Sequence, residues 1–271
     1  MPAFIQITDT HIVPEGQLAY GKSDTAAALR EAIATVNGVL PRLDPVECAI
    51  ITGDLTDFGT CAEYERLKAT MADLDLPYMA IPGNHDARDT MRAAFADEAW
   101  MPDVGPIQWS RDFGEFMLIG LDTLVEGSHH GILSDEGFAF LDAALAAANG
   151  QPVVVATHHP WMHSGVIAMD TNNLRNGGAL LARLEAYPGS ARMISGHVHR
   201  TLTTQIGRVT CQIAPAPCHA VHLSHLPTSV NSLIMEPGGV TLWQWHNAPQ
   251  PCLVSNVIPV GRFGGPWPFY G

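Results

Sequence analysis

Five short polar clusters in this chain carry side chains able to bind dications. They are Asp9-x-His11, Gly53-Asp54, Gly83-Asn84-His85-Asp86, His158-His159 and Gly196-His197-x-His199. Each follows an apolar run that reads as a β-strand: Phe4–Thr8, Ala49–Thr52, Tyr78–Ile81, Val153–Thr157 and Arg192–Ser195. In α/β sheets, ligands collect beyond the carboxyl ends of strands. Such ends would bring carboxylates, an amide and several imidazoles together. Carboxylates held close repel one another unless positive charge lies between them. A mixed oxygen and nitrogen donor set suits Zn, Mn, Fe or Co, whereas an all-oxygen set suits Mg or Ca.

The spacing carries geometric expectations. Asp9 and His11 are two apart, as are His197 and His199. In an extended segment, such residues point to one side, so each pair could grip one centre or two neighbouring ones. Gly53, Gly83 and Gly196 stand just before their polar residues, where the backbone must turn sharply or approach closely. A lone DxH or HxH arises often by chance. GNHD alone can be a turn, because Asn and Asp tolerate left-handed backbone, and His159 can pack or cap beside Pro160. The reading rests on all five clusters occurring in order, each after an apolar strand.

The intervening sequence supplies the elements that must position these ends. Ser23-Asp24 can cap a helix with apolar residues at Ala28, Leu29, Ile33, Val36 and Leu40, closed by Pro41. A second helix is expected over Glu63–Leu74, a third over Ser134–Ala148 and a fourth over Leu180–Tyr187. DTMRAAFADEAW reads as helical, MPDVGPIQWS as loop and Phe113–Asp122 as strand. TLTTQIGRVTCQIA and SLIMEPGGVTLWQWH each read as a hairpin turning at Gly. From Pro249 onward the composition predicts a surface or partner-bound tail. Strands alternating with helices predict parallel pairing and an α/β class; the later hairpins add antiparallel strands. A sheet-on-sheet sandwich flanked by helices accommodates both. Without a repeat or linker, residues 1–271 form one domain, whose hairpin-rich part (about 201–271) is expected to form a cap or an oligomer contact.

Composition narrows the function classes. With 46% hydrophobic residues among 271, a sizeable core is expected. The formal net charge is −13, the wrong sign for a protein that neutralises duplex phosphates. Five scattered Cys with no CxxC argue against a disulfide framework and against a Cys-based zinc site, and suit buried reduced thiols. No apolar run approaches the roughly 18 residues a membrane span needs, and no signal segment is evident. A soluble cytoplasmic protein without membrane contact is the expectation.

Taken together, DTH, GDLTD, GNHD, HH and GHVH resemble the calcineurin-like metallophosphoesterases. The resemblance is strongest to their bacterial class III cyclic-nucleotide phosphodiesterases and glycerophosphodiesterases. It spans Asp9 to His199 and continues more weakly through APAPCHAV. It implies the metallophosphoesterase fold, a four-layer αββα sandwich of two mixed β-sheets flanked by helices. It also implies two divalent ions: one held by Asp9, His11 and His199, the other by Asn84, His158 and His197, with Asp54 bridging. His85 is similar to the family's histidine beside the substrate phosphoryl group. Asp57 stands where some members place a carboxylate that orients that histidine. His219 matches another site histidine. Tyr20 resembles a pocket-entrance position, although a packed surface Tyr fits equally well.

Two such ions, Fe, Mn, Zn or Co, can clamp a phosphoryl oxygen and bring water's pKa towards roughly 7, so that a metal-bound hydroxide attacks phosphorus. His85 is expected to protonate the leaving alkoxide or polarise a phosphoryl oxygen, and His219 to assist at the site. His163 is a candidate for lining the pocket, and His129 and His130 for its rim; His222 and His225 read as exposed or capping. The expected substrate is a small soluble phosphodiester, either a cyclic nucleotide such as 3′,5′-cAMP or a glycerophosphodiester. A phosphomonoesterase or nuclease on the same site is the alternative, and a non-catalytic metal-binding scaffold a remoter one. The aromatic-rich tail FGGPWPFYG suggests a homo-oligomer, dimer or higher.

Overall fold

The computed structural model describes residues 1–270. Its first half alternates as the sequence predicts: β1 (Ala3–Ile7), α1 (Thr25–Val39), β2 (Cys48–Thr52), α2 (Cys61–Met71), β3 (Tyr78–Ile81) and α3 (Arg88–Ala94). Next come β4 (Trp109–Asp112), β5 (Met117–Gly120), α4 (Asp135–Ala148), β6 (Val153–Ala156), α5 (Ile167–Asp170), α6 (Gly177–Ala186) and β7 (Ala191–Ser195). The rest is β8 (Leu202–Ile206), β9 (Val209–Ile213), β10 (Ala220–Val221), β11 (Leu233–Ile234), β12 (Gly239–His246) and β13 (Cys252–Pro259).

Helix starts follow local capping chemistry. The Asp24 carboxylate accepts from Ala27 N at 3.0 Å, Thr60 and Glu63 form a reciprocal capping box, and the Ser134 hydroxyl accepts from Gly137 N at 3.1 Å.

Two large sheets result, ordered β13-β12-β1-β2-β3 and β4-β5-β6-β7-β9-β8. β1, β2 and β3 run parallel, as do β5, β6 and β7, so their carboxyl ends share an edge within each sheet. Alternation along β1 explains the layering. Ala3, Ile5 and Ile7 join the apolar cluster that includes residues of α1 and α2. Phe4 instead joins a cluster drawn from both sheets, with Ile81, Leu118, Val154, Ile194 and Trp243. A third cluster packs residues of α4 and α6 on the second sheet. The order is helix, sheet, sheet, helix.

Gln6 is a polar tie in the middle layer. Its Nε2 donates to the Thr52 hydroxyl at 3.0 Å and to Ser195 O at 3.2 Å, and its Oε1 accepts from Trp243 Nε1 at 3.0 Å. One side chain thus links both sheets with its amide satisfied.

Several segments differ from expectation. Trp109 and Ser110, expected as loop, belong to a strand antiparallel to β5, and the Phe113–Asp122 run is split by a turn at Gly114, whose φ is +84°. Burial of Trp109 and Phe113 between the sheets drives this hairpin. The expected SLIMEPGGVTLWQWH hairpin does not form: β11 pairs with β10, and β12 pairs with β1 and β13. Pro237 has no N–H to donate, and Gly238 sits against the Pro217 backbone. Part of the expected tail is β13, paired with β12. β8, β9, β12 and β13 therefore complete the sheets. Cys48, Cys211 and Cys218 are buried as expected, but Cys61 and Cys252 are exposed. No helix among the described residues is long and apolar enough to cross a membrane.

Trp243 is fully buried and stacks on Phe4. Trp243→Ala is expected to cost about 3–5 kcal/mol, read from the urea unfolding midpoint. A loss below about 1 kcal/mol would contradict its place at the centre of the sandwich.

Candidate metal centre

The polar clusters occupy the loops that leave β1, β2, β3, β6 and β7. Backbone geometry there differs from the extended arrangement expected. Asp9, His11, Asp54, His197 and His199 all have positive φ, between 41° and 71°. Left-handed backbone costs a non-glycine residue about 1–2 kcal/mol. Neighbouring loops hold it in place: Asp9 N donates to Gly53 O at 3.0 Å, and His11 N to Asp54 O at 2.9 Å. His197 N donates to the Asp9 carboxylate at 3.0 Å, joining the two sheets' loops. The glycines are required by close approach. A Cβ at Gly83 would collide with the Asp54 carboxylate and backbone, one at Gly196 with Thr8 and Asp9, and one at Gly53 with the His158 ring.

The side chains converge. Asp54 Oδ2 lies 3.5 Å from His11 Nε2 and 3.3 Å from His158 Nε2. On one side, Asp9 Oδ1 is 3.3 Å from His199 Nε2, which is 3.2 Å from His11 Nε2. On the other, Asn84 Oδ1 is 3.2 Å from His158 Nε2, and the His158 and His197 ring centroids are 5.1 Å apart. Donor atoms of Asp9, His11 and His199, and those of Asp9, Asp54 and His158, lie within 4.8 Å of one another. The His11 and His199 nitrogens illustrate the fit to a metal. Two imidazole nitrogens meeting at this distance satisfy each other only if one carries the proton; a cation satisfies both lone pairs.

Electrostatics point the same way. Burial alone would raise the Asp9 carboxyl, but His199 outweighs it and holds Asp9 at about 2. Asp54 is likewise held well below its usual range, burial being overcome chiefly by His158. Burial opposes a proton on His158, yet Asp54 lifts this imidazole to about 9. His197 is pushed down to about 3 by burial and the His158 charge. The raised His158 imidazole is thus a positive charge set beside two buried carboxylates. A dication in that place would release protons.

Asp57 reaches two histidines. Its carboxylate lies 3.0 Å from His11 Nδ1, whereas its backbone carbonyl takes His85 Nδ1 at 2.9 Å. The carboxylate is 3.6 Å from His85. Asp57 thus orients both histidines, and the contact to His85 is through the main chain. Asp86 faces away from the cluster. Its carboxylate accepts from Leu55 N, Thr56 N, Gly83 N and the hydroxyls of Thr56 and Tyr64, clamping the Asp54 and Asn84 loops together. His219 is buried, its ring 4.8 Å from that of His199, with Nδ1 lacking a partner.

The sequence profile of the calcineurin-like phosphoesterases matches residues 2–201. The chain belongs to this family. A probable glycerophosphodiester phosphodiesterase of Arcobacter nitrofigilis is 34% identical over 267 residues, covering 98% of this chain and 96% of that protein. A probable cyclic nucleotide phosphodiesterase of Rhodopseudomonas palustris is 33% identical, covering 74% and 72%. Among solved structures, a dimetal phosphatase from Danio rerio superposes with a TM-score of 0.60 at 15% identity, covering 95% of this chain and 98% of that one. That likeness concerns the fold.

In this phosphoesterase a cleft of about 840 Å³ opens over the cluster. His11, Asp54, Asn84, His85, His197, His199 and His219 line it, with Tyr20 and His129 as the sequence suggested. Asp9, His158 and Asp57 lie buried beneath. His130, His222 and His225 are not among the lining residues, and neither is His163, whose side chain is 77% exposed. His159 is buried, its Nδ1 2.8 Å from the Thr123 hydroxyl. Sequence reasoning missed Lys22, Met169, Asn172, Val221 and Asn231–Met235, all lining the cleft. Val221, Leu233 and Ile234 carried no local signal, since β10 and β11 are two residues each.

Asp86→Ala would strip partners from three backbone N–H groups, each costing about 1–3 kcal/mol if left unpaired. The expected result is a loss of at least about 3 kcal/mol in chemical denaturation. A variant as stable as the parent would show that the two loops do not depend on this carboxylate.

Proposed function

We propose that this phosphoesterase is a di-metal phosphodiesterase acting on small diesters, either cyclic nucleotides such as 3′,5′-cAMP or glycerophosphodiesters. The observation that carries the reading is Asp54, whose Oδ2 lies within 3.5 Å of both His11 and His158. One carboxylate placed between two donor groups suits a bridging ligand. Asp9, His11 and His199 would hold one ion, and Asn84, His158 and His197 the other. The relatives named as glycerophosphodiester and cyclic nucleotide phosphodiesterases support the substrate class. Bound there, two divalent ions (Fe, Mn, Zn or Co) would supply Lewis acidity at the phosphoryl oxygens and lower the pKa of bound water.

The chain's own residues set up the remaining chemistry. His85 Nδ1 faces the Asp57 carbonyl, which can only accept, so Nδ1 carries the hydrogen and Nε2 is the nitrogen that titrates. Burial works against the imidazolium, but Asp54 and Asp57 outweigh it and raise the His85 pKa. A histidine so poised can donate a proton to a leaving alkoxide, which departs poorly as the anion. The Asp57 carboxylate fixes the His11 ring through Nδ1, leaving Nε2 for the ion. His219, whose pKa is pushed down to about 3 by burial and His199, would offer its unpartnered Nδ1 as a neutral imidazole at the cleft wall.

Oligomer formation is supported by the exposed Phe263, Trp267, Phe269 and Tyr270, and a cytoplasmic location by five unpaired cysteines.

Chelated protein is expected to lose hydrolysis of bis(p-nitrophenyl) phosphate and to regain it with Mn, at two ions per chain by elemental analysis. If p-nitrophenyl phosphate reacts and the diester does not, the diesterase reading fails. His85→Ala should retain both ions while kcat falls about 10²–10⁴-fold; an unchanged kcat removes His85 from the proton transfer.

A further inference from the structure

One wall of the cleft is apolar. It is formed by Met169 of α5, Val221 of β10, Leu233 and Ile234 of β11, and the adjoining Met235, while Asn172, Asn231 and Ser232 of the same segments supply polar groups to the lining. The β10–β11 ribbon is held by the pairs Ala220↔Ile234 and Val221↔Leu233 and by His222 N donating to Ser232 O at 2.7 Å. His225 of the same ribbon packs on Gly165, just before α5. Leu223, Leu226 and Val230, in the segment that connects β10 to β11, are exposed. Apolar side chains lining a cleft beside a polar centre suit an apolar part of a ligand. Among the described residues lining the cleft, Lys22 is the sole Lys or Arg. One rim cation suits the single charge of a diester.

Resting on the phosphodiesterase reading, we infer that one ester substituent of the preferred substrate is apolar, an alkyl or aryl group lying along Met169, Val221, Leu233 and Ile234. Hydroxyls of a polyhydroxylated substituent laid on those four side chains would lose water there without a hydrogen bond in return, since the polar lining residues Asn172, Asn231 and Ser232 are not part of that contact. An apolar one gains by burial, and each methylene placed there is worth about a fourfold gain in binding. Because the wall lies away from the reacting bond, the gain falls on KM and leaves kcat nearly constant.

The test uses the Mn-loaded full chain with methyl, ethyl, butyl and hexyl 4-nitrophenyl phosphates, which share one leaving group. Expected is a rise in kcat/KM of about fourfold per methylene over the first additions, carried by KM. Leu233→Asn and Ile234→Asn, checked for folding by thermal melting, should each lower the hexyl-to-methyl ratio. A flat or falling series in the parent protein overturns the inference. Calorimetric binding of hexyl and methyl phosphate to the Mn-loaded chain supplies an independent measure. Tighter hexyl binding with a more negative heat capacity change supports the apolar wall, and equal binding refutes it. Absence of hydrolysis of every diester would defeat the phosphodiesterase reading, while the calorimetry would still decide the character of the wall.

Discussion

Two carboxylates, Asp9 and Asp54, are 0% and 2% exposed at the ends of adjacent parallel strands. Everything around them answers to that burial. A buried charge is costly unless paired and hydrogen-bonded. Asp9 accepts from Thr8 Oγ1 and from His197 N, across the gap between the sheets. Asp54 accepts from His85 N of the next loop. Imidazoles of His11, His158 and His199 then face the carboxylates from the remaining directions. The left-handed backbone at five residues and the missing side chains at Gly83 and Gly196 are what this crowding demands. Strain of this kind persists only where the surroundings over-determine it, as they do here.

The four residues of GNHD divide the work. Gly83 lets the loop lie against Asp54, Asn84 contributes an amide oxygen beside His158, and His85 lines the cleft. Asp86 turns inward to five donors from three segments. Burial and the Asp54 charge push its carboxyl up to about 6 even so. A buried acid that braces loops and a buried acid that faces a cation look alike in a sequence. Their partners separate them.

Much of the fold could be read locally because alternating burial and helix caps are local signals. β1, β2, β3, β6 and β7 end where the apolar runs end, and Asp24 and Ser134 mark helix starts. The convergence of the strand ends was legible from the repeated polar clusters. What was not legible is non-local. β12 pairs with β1, Phe4 opposite Trp243, and nothing near either residue announces the other. The same holds for Asp57, for which the family resemblance implied a carboxylate orienting His85: folding also sets that carboxylate 3.0 Å from His11, beside its 3.6 Å approach to His85. The cleft wall was missed for a related reason: a ribbon of two-residue strands has too few positions to display a period.

The acidic composition and an anionic substrate are reconciled at short range. A net charge of −13 spread over the surface is screened beyond about 8–10 Å at ordinary ionic strength. A phosphoryl group in the cleft therefore responds mainly to the nearest charges. Those are the buried carboxylates of Asp9, Asp54 and Asp57, a set of imidazoles and Lys22. Without cations the carboxylates would repel it. With dications among them, the sign of the local field reverses. The features that make the loops difficult to fold, acids packed together with their charges facing inward, are therefore the same ones that would draw in cations and make the cleft attractive to phosphate.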